Sequence, residues 1–275
     1  MNNKLLILGQ GMIGRRLQEG LRCPVSTTRI STFQDALEVI QKHKPKVLIN
    51  CIGHTGAGNV DDCERALDKT LTANTLVPIL LAEVALRHHI KLVHISSGCI
   101  YHFQYGQHRP IQESRSPDYY NLYYSRTKIY TENVLKDLTK SHDILIVRIR
   151  VPLDIRPHKK NLLTKLFGFE SVINTPNSVT YIPDFIKAID HLIQHNGRGI
   201  YNVVCKGGLK YPDLLNLFNK HHGKGHSFKI LDAKKLNLNR TNLILSTKKL
   251  EESGFKVRTP KEILEECVKE YIKSL

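Results

Sequence analysis

The strongest constraint on this chain is a glycine-rich turn that directly follows its first apolar run. Lys4 to Leu8 reads KLLIL, and GQGMIG follows at once and opens a helical pattern over Met12 to Leu21. In such a unit the first glycine permits a tight turn, the second lets backbone approach a pyrophosphate, and the third lets helix and strand pack closely. The pattern therefore predicts a dinucleotide site formed by Gly9, Gln10, Gly11, Met12, Ile13 and Gly14.

Short apolar runs alternate with longer helical patterns as far as Arg150. The predicted strands are Lys4 to Leu8, Pro24 to Thr28, Val47 to Asn50, Lys91 to Ser96 and Asp143 to Arg148. The predicted helices are Met12 to Leu21, Thr32 to Lys42 with Thr32 as N-cap, Thr72 to His88, and Tyr123 to Thr139. This alternation predicts an α/β fold, a Rossmann-type doubly wound parallel sheet with helices on both faces.

The pattern changes after Arg150, where prolines break the chain into short pieces. Helical patterns remain at Asp184 to His195, Tyr211 to His221 and Pro260 to Ser274. We predict that residues 1–150 form a dinucleotide-binding domain and that residues 151–275 form mainly a smaller, irregular C-terminal substrate-binding lobe. Returns of a strand or helix to the main sheet are compatible with this division. Such a lobe would overhang the carboxyl ends of the strands, where open α/β sheets bind ligands.

The chain is basic, with a formal net charge of +16. The positive residues are spread along its whole length, and no helix-turn-helix, zinc-finger or RNP pattern accompanies them. We therefore expect a solvated basic surface and no specific nucleic-acid partner. Nucleic-acid binding on charge alone is the third-ranked alternative.

The sequence gives no sign of a leader, a membrane segment or a metal site. The N-terminal apolar run stops at Gly9, which is too early for a secretory leader, and no apolar stretch approaches the ~18 residues that span a bilayer. The six cysteines are scattered without a CxxC pair, which argues against a zinc site and a disulfide framework. We expect a cytoplasmic protein with no metal and no membrane contact, and a homodimer stays open.

The end of the second predicted strand bears on the choice of dinucleotide. An NAD site usually offers an acid there for the ribose hydroxyls, whereas this chain reads VSTTR from Val25 to Arg29. A guanidinium can pair with a ribose phosphate in bidentate fashion. We therefore predict NADP(H) as the cofactor, with Arg29 at its phosphate. The alternative is that Arg29 is an ordinary surface residue.

Tyr124 and Lys128 form a YxxxK pair on a predicted helix. The spacing of four places both side chains on one face, one turn apart. An ammonium beside a phenol favours the phenolate, so Tyr124 can serve as a general acid or base near neutrality. Alone, such a pair is usually structural. It gains specificity from the glycine-rich turn and from the serine at the end of the fourth predicted strand.

Together with NCIG at residues 50–53 and with Asn74, these features resemble the extended short-chain dehydrogenases/reductases. Within that superfamily the chain resembles the dTDP-4-dehydrorhamnose reductases. It resembles more closely the bifunctional nucleotide-4-keto-6-deoxyglucose 3,5-epimerase/4-reductases that make UDP-L-rhamnose in plants. The matching stretches are HTGAGNVDDCE (54–64), SSGCIY (96–101), YYSRTK (123–128), VRIRVPLD (147–154), NLLTK (161–165), INTPNSVTYIPD (173–184), GIYNVV (199–204) and RTNLILSTKKL (240–250).

The resemblance implies a role for each matching residue. Ser97 would hydrogen-bond the substrate carbonyl, Tyr124 would protonate the carbonyl oxygen while NADPH delivers hydride to carbon 4, and Lys128 would bind the nicotinamide ribose. The implied reaction converts UDP- or dTDP-4-keto-6-deoxy-D-glucose to the nucleotide-L-rhamnose, so a nucleotide sugar is the expected substrate. Further implied cofactor contacts are Cys51, Ile52, Gly53 and Val151.

Cys99 and Lys165 match the cysteine and the lysine that the resemblance implies in epimerisation. A proton on a carbon beside a ketone can be removed through an enolate, and inversion needs removal from one face and return from the other. A thiol with a lysine nearby ionises readily. Which of the two residues is the base, and for which carbon, stays open. The ordinary alternative for Cys99 is a small buried hydrophobe.

Some positions depart from the plant pattern. The loop after Cys99 is shorter, residues 56–59 lack an expected arginine and proline, and Ser246 replaces an expected aspartate. The preference for UDP or dTDP therefore stays open. Three residues that could equally be cap or loop residues are our hypotheses for sugar and diphosphate contacts: Thr55, Asn161 and Arg240.

Two other functions remain as alternatives. A monofunctional 4-reductase would rely on a separate epimerase, although Cys99 and Lys165 count against it. The regulatory subunit of methionine adenosyltransferase resembles the same reductases, binds NADP and acts mainly as a protein partner. That function would not need the cysteine–lysine pair.

Overall fold

The structure, a computed structural model, describes residues 4–223, 225–231 and 242–275. It divides into two compact units. The first unit is Met1–Ile100, Pro117–Arg148 and Ile189–Tyr201, and the second is Tyr101–Ser116, Ile149–Ala188 and Asn202–Leu275. Both units therefore take chain from both sides of residue 150. The two-domain boundary at that residue stays a prediction.

Strands and helices alternate along most of the described chain. The strands are β1 (Leu5–Leu8), β2 (Val25–Ser26), β3 (Val47–Asn50), β4 (Lys91–Ser97), β5 (Ile144–Ile149), β6 (Pro152–Leu153), β7 (Ser171–Ile173), β8 (Thr180–Tyr181), β9 (Gly199–Asn202) and β10 (Lys229–Leu231). The helices are α1 (Met12–Leu21), α2 (Phe33–His43), α3 (Leu67–Leu71), α4 (Val77–Arg87), α5 (Tyr123–Leu138), α6 (Leu162–Leu166), α7 (Ile182–Gln194), α8 (Tyr211–His222), α9 (Lys248–Glu252) and α10 (Pro260–Lys273).

The first unit contains a sheet whose described strands follow the order β2-β1-β3-β4-β5-β9. β1 pairs in parallel with β2 and with β3, and β3 pairs in parallel with β4. One face packs on apolar side chains of α2, α4 and α5. This confirms the predicted Rossmann-type doubly wound fold. The strand order reverses between β1 and β3, and such a switch point is where open α/β sheets bind ligands.

Local capping explains where α2 begins. The Thr32 hydroxyl accepts a hydrogen bond from Asp35 N at 3.2 Å, and the Asp35 carboxylate accepts one from Thr32 N at 2.8 Å. This reciprocal capping box satisfies two backbone N–H groups that the first turn leaves without helical partners. The predicted N-cap at Thr32 is confirmed.

The helix predicted over Thr72 to His88 is wrong at its start. Helical structure begins at Leu67 with α3, passes through a π-helical turn at Thr72–Leu76 and continues as α4. By length and composition Leu67–Arg87 could cross a membrane, since its most apolar window has a mean hydropathy of 1.3. Half of that window is buried inside the protein, and α4 packs on α2 and β4. A core helix has the same character, so this is weak evidence for a membrane span.

The described strands β6, β7, β8 and β10 of the second unit span only two or three residues each. β6 pairs in parallel with β8, and β7 pairs in parallel with β10. Its apolar core joins side chains of α6, α8 and α10. Arg258 fixes α7 to α10 because its guanidinium donates to both Asp184 oxygens, at 2.8 and 2.6 Å, and to Glu266 at 2.7 Å.

Candidate active site

The turn after β1 depends on two glycines for close backbone approach. Gly9 has φ +100°, and a Cβ atom on it would lie 2.8 Å from the Cys51 carbonyl carbon. A Cβ atom on Gly14 would lie 1.9 Å from the Gly9 carbonyl oxygen. No side chain fits at either distance, so α1 and the loop after β3 can both approach the turn only because these positions are glycine.

Gly11 occupies a different environment in the same turn. A Cβ atom on it would meet nothing within 4 Å. Gly11 is the N-cap of α1, and no side chain caps that helix. The N-terminus of α1 therefore has no side-chain cap, and the positive end of the helix dipole there suits an anion such as a pyrophosphate. These residues fit the phosphates of a dinucleotide.

The loop after β2 is ordered by hydroxyl groups. Ser26 Oγ donates to Thr28 Oγ1 at 3.1 Å and accepts from Thr28 N at 3.2 Å. Arg29 follows and is exposed. Hydroxyl and guanidinium groups therefore stand where an NAD site usually offers a carboxylate. The contact of Arg29 with a ribose phosphate stays a prediction.

The loop after β3 is held by two asparagine side chains. Asn50 Oδ1 accepts from Ile52 N at 2.9 Å. Asn74, in the π-helical turn, accepts from His54 N at 2.8 Å and donates to His54 O at 3.0 Å and Thr127 Oγ1 at 3.2 Å. The resemblance included both asparagines, Asn50 within NCIG and Asn74 in the following helix. Their bracing role could not be predicted from the sequence, because it depends on contacts between residues distant along the chain.

Ser97 and Cys99 lie together where β4 ends. Ser97 is buried, and its hydroxyl oxygen accepts from Cys99 N at 3.1 Å. The Ser97 proton therefore remains available for donation to a ligand. Cys99 is half-buried, and its carbonyl accepts from Ser125 Oγ at 2.5 Å. Sequence reasoning missed Ser125, which ties the first turn of α5 to this loop.

Tyr124 and Lys128 are both buried on α5. Lys128 Nζ donates to Ile95 O in β4 at 3.3 Å, and a Cβ atom built on Gly53 would lie 3.7 Å from the same Nζ. The lysine thus contacts the ends of two neighbouring strands. The structure brings Ser97, Cys99, Tyr124, Lys128 and the Cys51–Gly53 loop into one compact unit.

Burial shapes the protonation of this unit. It lowers the pKa of Lys128 to about 8, while Glu132 and Cys51 act in the opposite direction. Burial also raises the pKa of the Cys51 thiol to about 12, so that thiol stays protonated at neutral pH. Burial, with the Lys128 charge as the second cause, lowers the pKa of His94 well below its usual range, and the imidazole is neutral.

The remaining predicted residues differ in their setting. Thr55 is half-buried in the loop after β3, and in the second unit Lys165 lies half-buried on α6. Val151 is also half-buried, with φ 38°, and its cofactor contact stays a prediction. Arg240 lies outside the described residues.

Asn161 serves as a cap instead of the predicted substrate contact. The side chain is fully buried at the N-terminus of α6. Its Oδ1 accepts from Asp154 N at 3.1 Å and Leu163 N at 3.3 Å, and its Nδ2 donates to Asp154 O at 2.9 Å and Arg156 O at 2.8 Å. Every hydrogen-bonding position of the amide is used, so none remains for a sugar.

The chain is similar to known proteins in sequence and in fold. A family model described as the RmlD substrate binding domain matches residues 3–184 of the 275. A bifunctional dTDP-4-dehydrorhamnose 3,5-epimerase/dTDP-4-dehydrorhamnose reductase of Arabidopsis thaliana is 26% identical over 77% of this chain and 71% of its own length. The chain spans only 34% of the length of another relative from the same plant, the trifunctional UDP-glucose 4,6-dehydratase/UDP-4-keto-6-deoxy-D-glucose 3,5-epimerase/UDP-4-keto-L-rhamnose-reductase RHM1.

Two solved structures show the same fold. The L780 UDP-rhamnose synthase of Acanthamoeba polyphaga mimivirus aligns with a TM-score of 0.89 and 22% identity, over 97% of this chain and 98% of the other. A dTDP-4-dehydrorhamnose reductase of Bacillus anthracis, solved with NADP, aligns with a TM-score of 0.82 and 20% identity over all of both chains. At these identities the likeness concerns the fold.

Alanine substitutions at Gly14 and at Gly11 should differ in their effect on the free energy of unfolding. Gly14→Ala forces a methyl group against Gly9 O, and we expect destabilisation of about 1–3 kcal/mol, although alanine normally favours a helix interior. Gly11→Ala should unfold like the parent because its methyl group meets nothing. Denaturant titration measures both, and an equally stable Gly14→Ala protein would contradict the packing argument.

Proposed function

The chain belongs to the RmlD substrate binding domain family, and from that membership we propose that it is an NADPH-dependent reductase of nucleotide-linked 4-keto-6-deoxy sugars. The resemblance found in the sequence is thereby confirmed at the level of the family. The observation that carries the proposal is the arrangement at the end of β4. Tyr124 and Lys128 are buried on α5, and the Lys128–Ile95 and Ser125–Cys99 hydrogen bonds tie that helix to the end of β4, where the Ser97 proton is available.

Each of these side chains has a defined task in carbonyl reduction. Ser97 donates its proton in a hydrogen bond to the ketone oxygen and orients it. Tyr124 transfers its phenolic proton to that oxygen as carbon 4 becomes tetrahedral, and it recovers a proton from solvent afterwards. The Lys128 ammonium stabilises the phenolate that Tyr124 leaves behind. NADPH supplies the hydride when bound.

The residues of the first unit support NADP(H) as the cofactor. The open space at Gly11 and the uncapped N-terminus of α1 accommodate a pyrophosphate. The loop after β2 offers hydroxyls and the exposed Arg29, with no carboxylate from Val25 to Arg29. Two negative charges of a ribose phosphate are favoured by such a loop, whereas a carboxylate would repel them.

The finer proposal is that the same chain also epimerises carbons 3 and 5 before reduction. Cys99 and Lys165 are the residues that support it, together with the bifunctional Arabidopsis relative. Cys99 follows Ser97 by two positions in the first unit, and Lys165 belongs to α6 of the second. One residue would remove a proton beside the ketone and the other would return a proton to the opposite face.

A reductase that relies on a separate epimerase is the second candidate. It is favoured by the fact that every side chain assigned to reduction lies within a single compact unit. A regulatory NADP-binding subunit would bind the cofactor without turnover. Purified protein incubated with UDP- or dTDP-4-keto-6-deoxyglucose and NADPH distinguishes the three functions.

We expect NADPH oxidation and formation of a nucleotide-L-rhamnose in that assay. If NADPH were oxidised only with a keto sugar that is already epimerised, the reductase would be the only one of the three functions supported. If NADPH is oxidised neither with the 4-keto-6-deoxyglucose nor with its epimerised form, whether linked to UDP or to dTDP, the enzyme proposal is contradicted.

Replacement of Cys99 by alanine or of Lys165 by methionine should stop epimerisation and spare reduction. Loss of an acid or base costs about 10²–10⁴-fold in rate, so deuterium uptake from D₂O at carbon 3 or 5 should fall by that factor. Reduction of the pre-epimerised keto sugar should stay near the parent rate. Cys205→Ala and Lys159→Met are matched controls, and undiminished deuterium uptake in Cys99→Ala and Lys165→Met refutes the roles.

Arg29→Ala should weaken the binding of NADPH and leave the binding of NADH unaffected. A hydrogen-bonded charge pair contributes about 1.5–3 kcal/mol, so we expect the KM for NADPH to rise at least about tenfold. Arg87→Ala is the control, because Arg87 is an exposed arginine on α4 that pairs with Glu83. An equal loss with both cofactors would rule out a phosphate contact.

A further inference from the structure

A buried ion pair lies in the first unit among residues that the proposed mechanism does not use. Arg148 Nη2 donates to Glu132 Oε2 at 2.6 Å, and Arg148 Nε lies 3.1 and 3.0 Å from the two carboxylate oxygens. The side chains are 1% and 2% exposed. Ser96 Oγ adds a hydrogen bond to Oε1 at 2.5 Å. Burial of two charges is costly even when they are paired, which raises the question of what this pair does.

The pair connects α5 and β4, which carry candidate active-site residues, to the neighbouring strand β5. Glu132 follows Lys128 by one helical turn on α5, and side chains at that spacing are neighbours. Ser96 immediately precedes Ser97 on β4, and Arg148 lies on β5. A single carboxylate thus joins the helix that carries the lysine to the strand that carries the serine.

Three titratable groups interact electrostatically with the Lys128 ammonium: Glu132 on α5, Cys51 after β3 and His94 on β4. Tyr124 lies one turn before Lys128 on the same helix, and Arg148 is paired with Glu132. Because burial raises the pKa of Cys51 and lowers that of His94, the thiol keeps its proton at neutral pH and the imidazole is neutral. Glu132 is consequently the anion that balances Lys128.

We propose that Glu132 is a positioning residue, whose carboxylate, fixed by Arg148 and Ser96, holds the Lys128 ammonium charged and in place beside the ends of β3 and β4. The inference rests on the proposed function, because it assigns a task toward the lysine used there in reduction. It deepens that function by naming what keeps a buried amine protonated.

The sign of the effect follows from Coulomb's law. Removal of the Glu132 charge destabilises the ammonium, so Lys128 should lose its proton at a lower pH. Removal of the Arg148 charge takes away a repulsion and leaves the carboxylate unshared, so Lys128 should keep its proton to a higher pH. A pair that braced the fold without acting on the Lys128 charge would leave the midpoint unchanged in both variants.

The direct test is an NMR titration of protein labelled with ¹³C at the lysine side chains. Burial lowers the Lys128 pKa to about 8, below the ordinary lysine range, so its signal should titrate apart from exposed lysines, and its loss in Lys128→Met assigns it. In Glu132→Gln the midpoint should fall by about one to two pH units, as expected for a unit charge one helical turn away in a protein interior. In Arg148→Met it should rise.

Two further variants guard against misfolding. Ser96→Ala removes one hydrogen bond to the carboxylate and no charge, so the midpoint should move less than in Glu132→Gln. If Glu132→Gln alone does not fold, the double variant Glu132→Gln/Arg148→Met replaces the ion pair by a neutral pair, which proteins generally tolerate. Because the loss of the two charges acts on Lys128 in opposite directions, its midpoint should fall by less than is expected for Glu132→Gln. Circular dichroism and thermal melting establish that each variant is folded.

An unchanged midpoint in Glu132→Gln, or shifts of the same sign in Glu132→Gln and Arg148→Met, overturns the inference. NADPH affinity gives a second readout. It should fall as pH rises past the Lys128 midpoint and follow that midpoint across the variants. Failure of sugar reduction alone would contradict the proposed function, whereas the lysine titration tests Glu132 without substrate or cofactor.

Discussion

A side chain at position 14 would overlap the Gly9 carbonyl, and one at position 9 would overlap the backbone after β3. This backbone contact brings the β1 turn, the N-terminus of α1 and the loop after β3 together at the point where strand order reverses. At Gly11, in the same turn, a Cβ atom would meet nothing within 4 Å. The approach of the glycine-rich turn to the loop after β3 depends on this contact.

The chemistry of the candidate site depends on burial. A lysine taken out of water would lose its proton near neutrality unless nearby charge opposed the loss. The chain surrounds Lys128 with a protonated thiol, a neutral imidazole and a carboxylate. Polar side chains at the carboxyl end of the sheet thus replace the apolar contacts that hold the sheet elsewhere.

Sequence patterns predicted the first unit well because its elements are long and strongly periodic. The bounds of α1 and β3 agree with the structure, and the predicted strand at Lys91 to Ser96 extends by one residue. The local signals that sufficed were the glycine-rich turn, the Thr32 cap and the YxxxK spacing. The second unit was harder to predict because β6, β8 and α6 span few residues and carry little periodicity.

Site residues differed in the same way. Tyr124 and Lys128 could be found from their spacing on one helix, since four residues form one turn. For Asn161 the sequence left a substrate contact and a cap as alternatives, because only the folded backbone shows that its amide is fully used by neighbouring residues. Ser125, Glu132 and Arg148 were missed because an ordinary polar residue gains its importance from partners distant along the chain. The discontinuous units arise in the same way, from long-range packing.

The π-helical turn at Thr72–Leu76 has a geometric consequence for the rest of its helix. One extra residue in a turn rotates everything downstream by about 100° around the helix axis. The stretch before and within the turn buries hydroxyl and amide groups at Thr70, Asn74 and Thr75, whereas α4 buries aliphatic ones such as Val77, Leu81 and Val84. The rotation lets one continuous helical segment direct polar side chains toward His54 in the loop after β3 and aliphatic side chains toward the sheet, without a break in the chain.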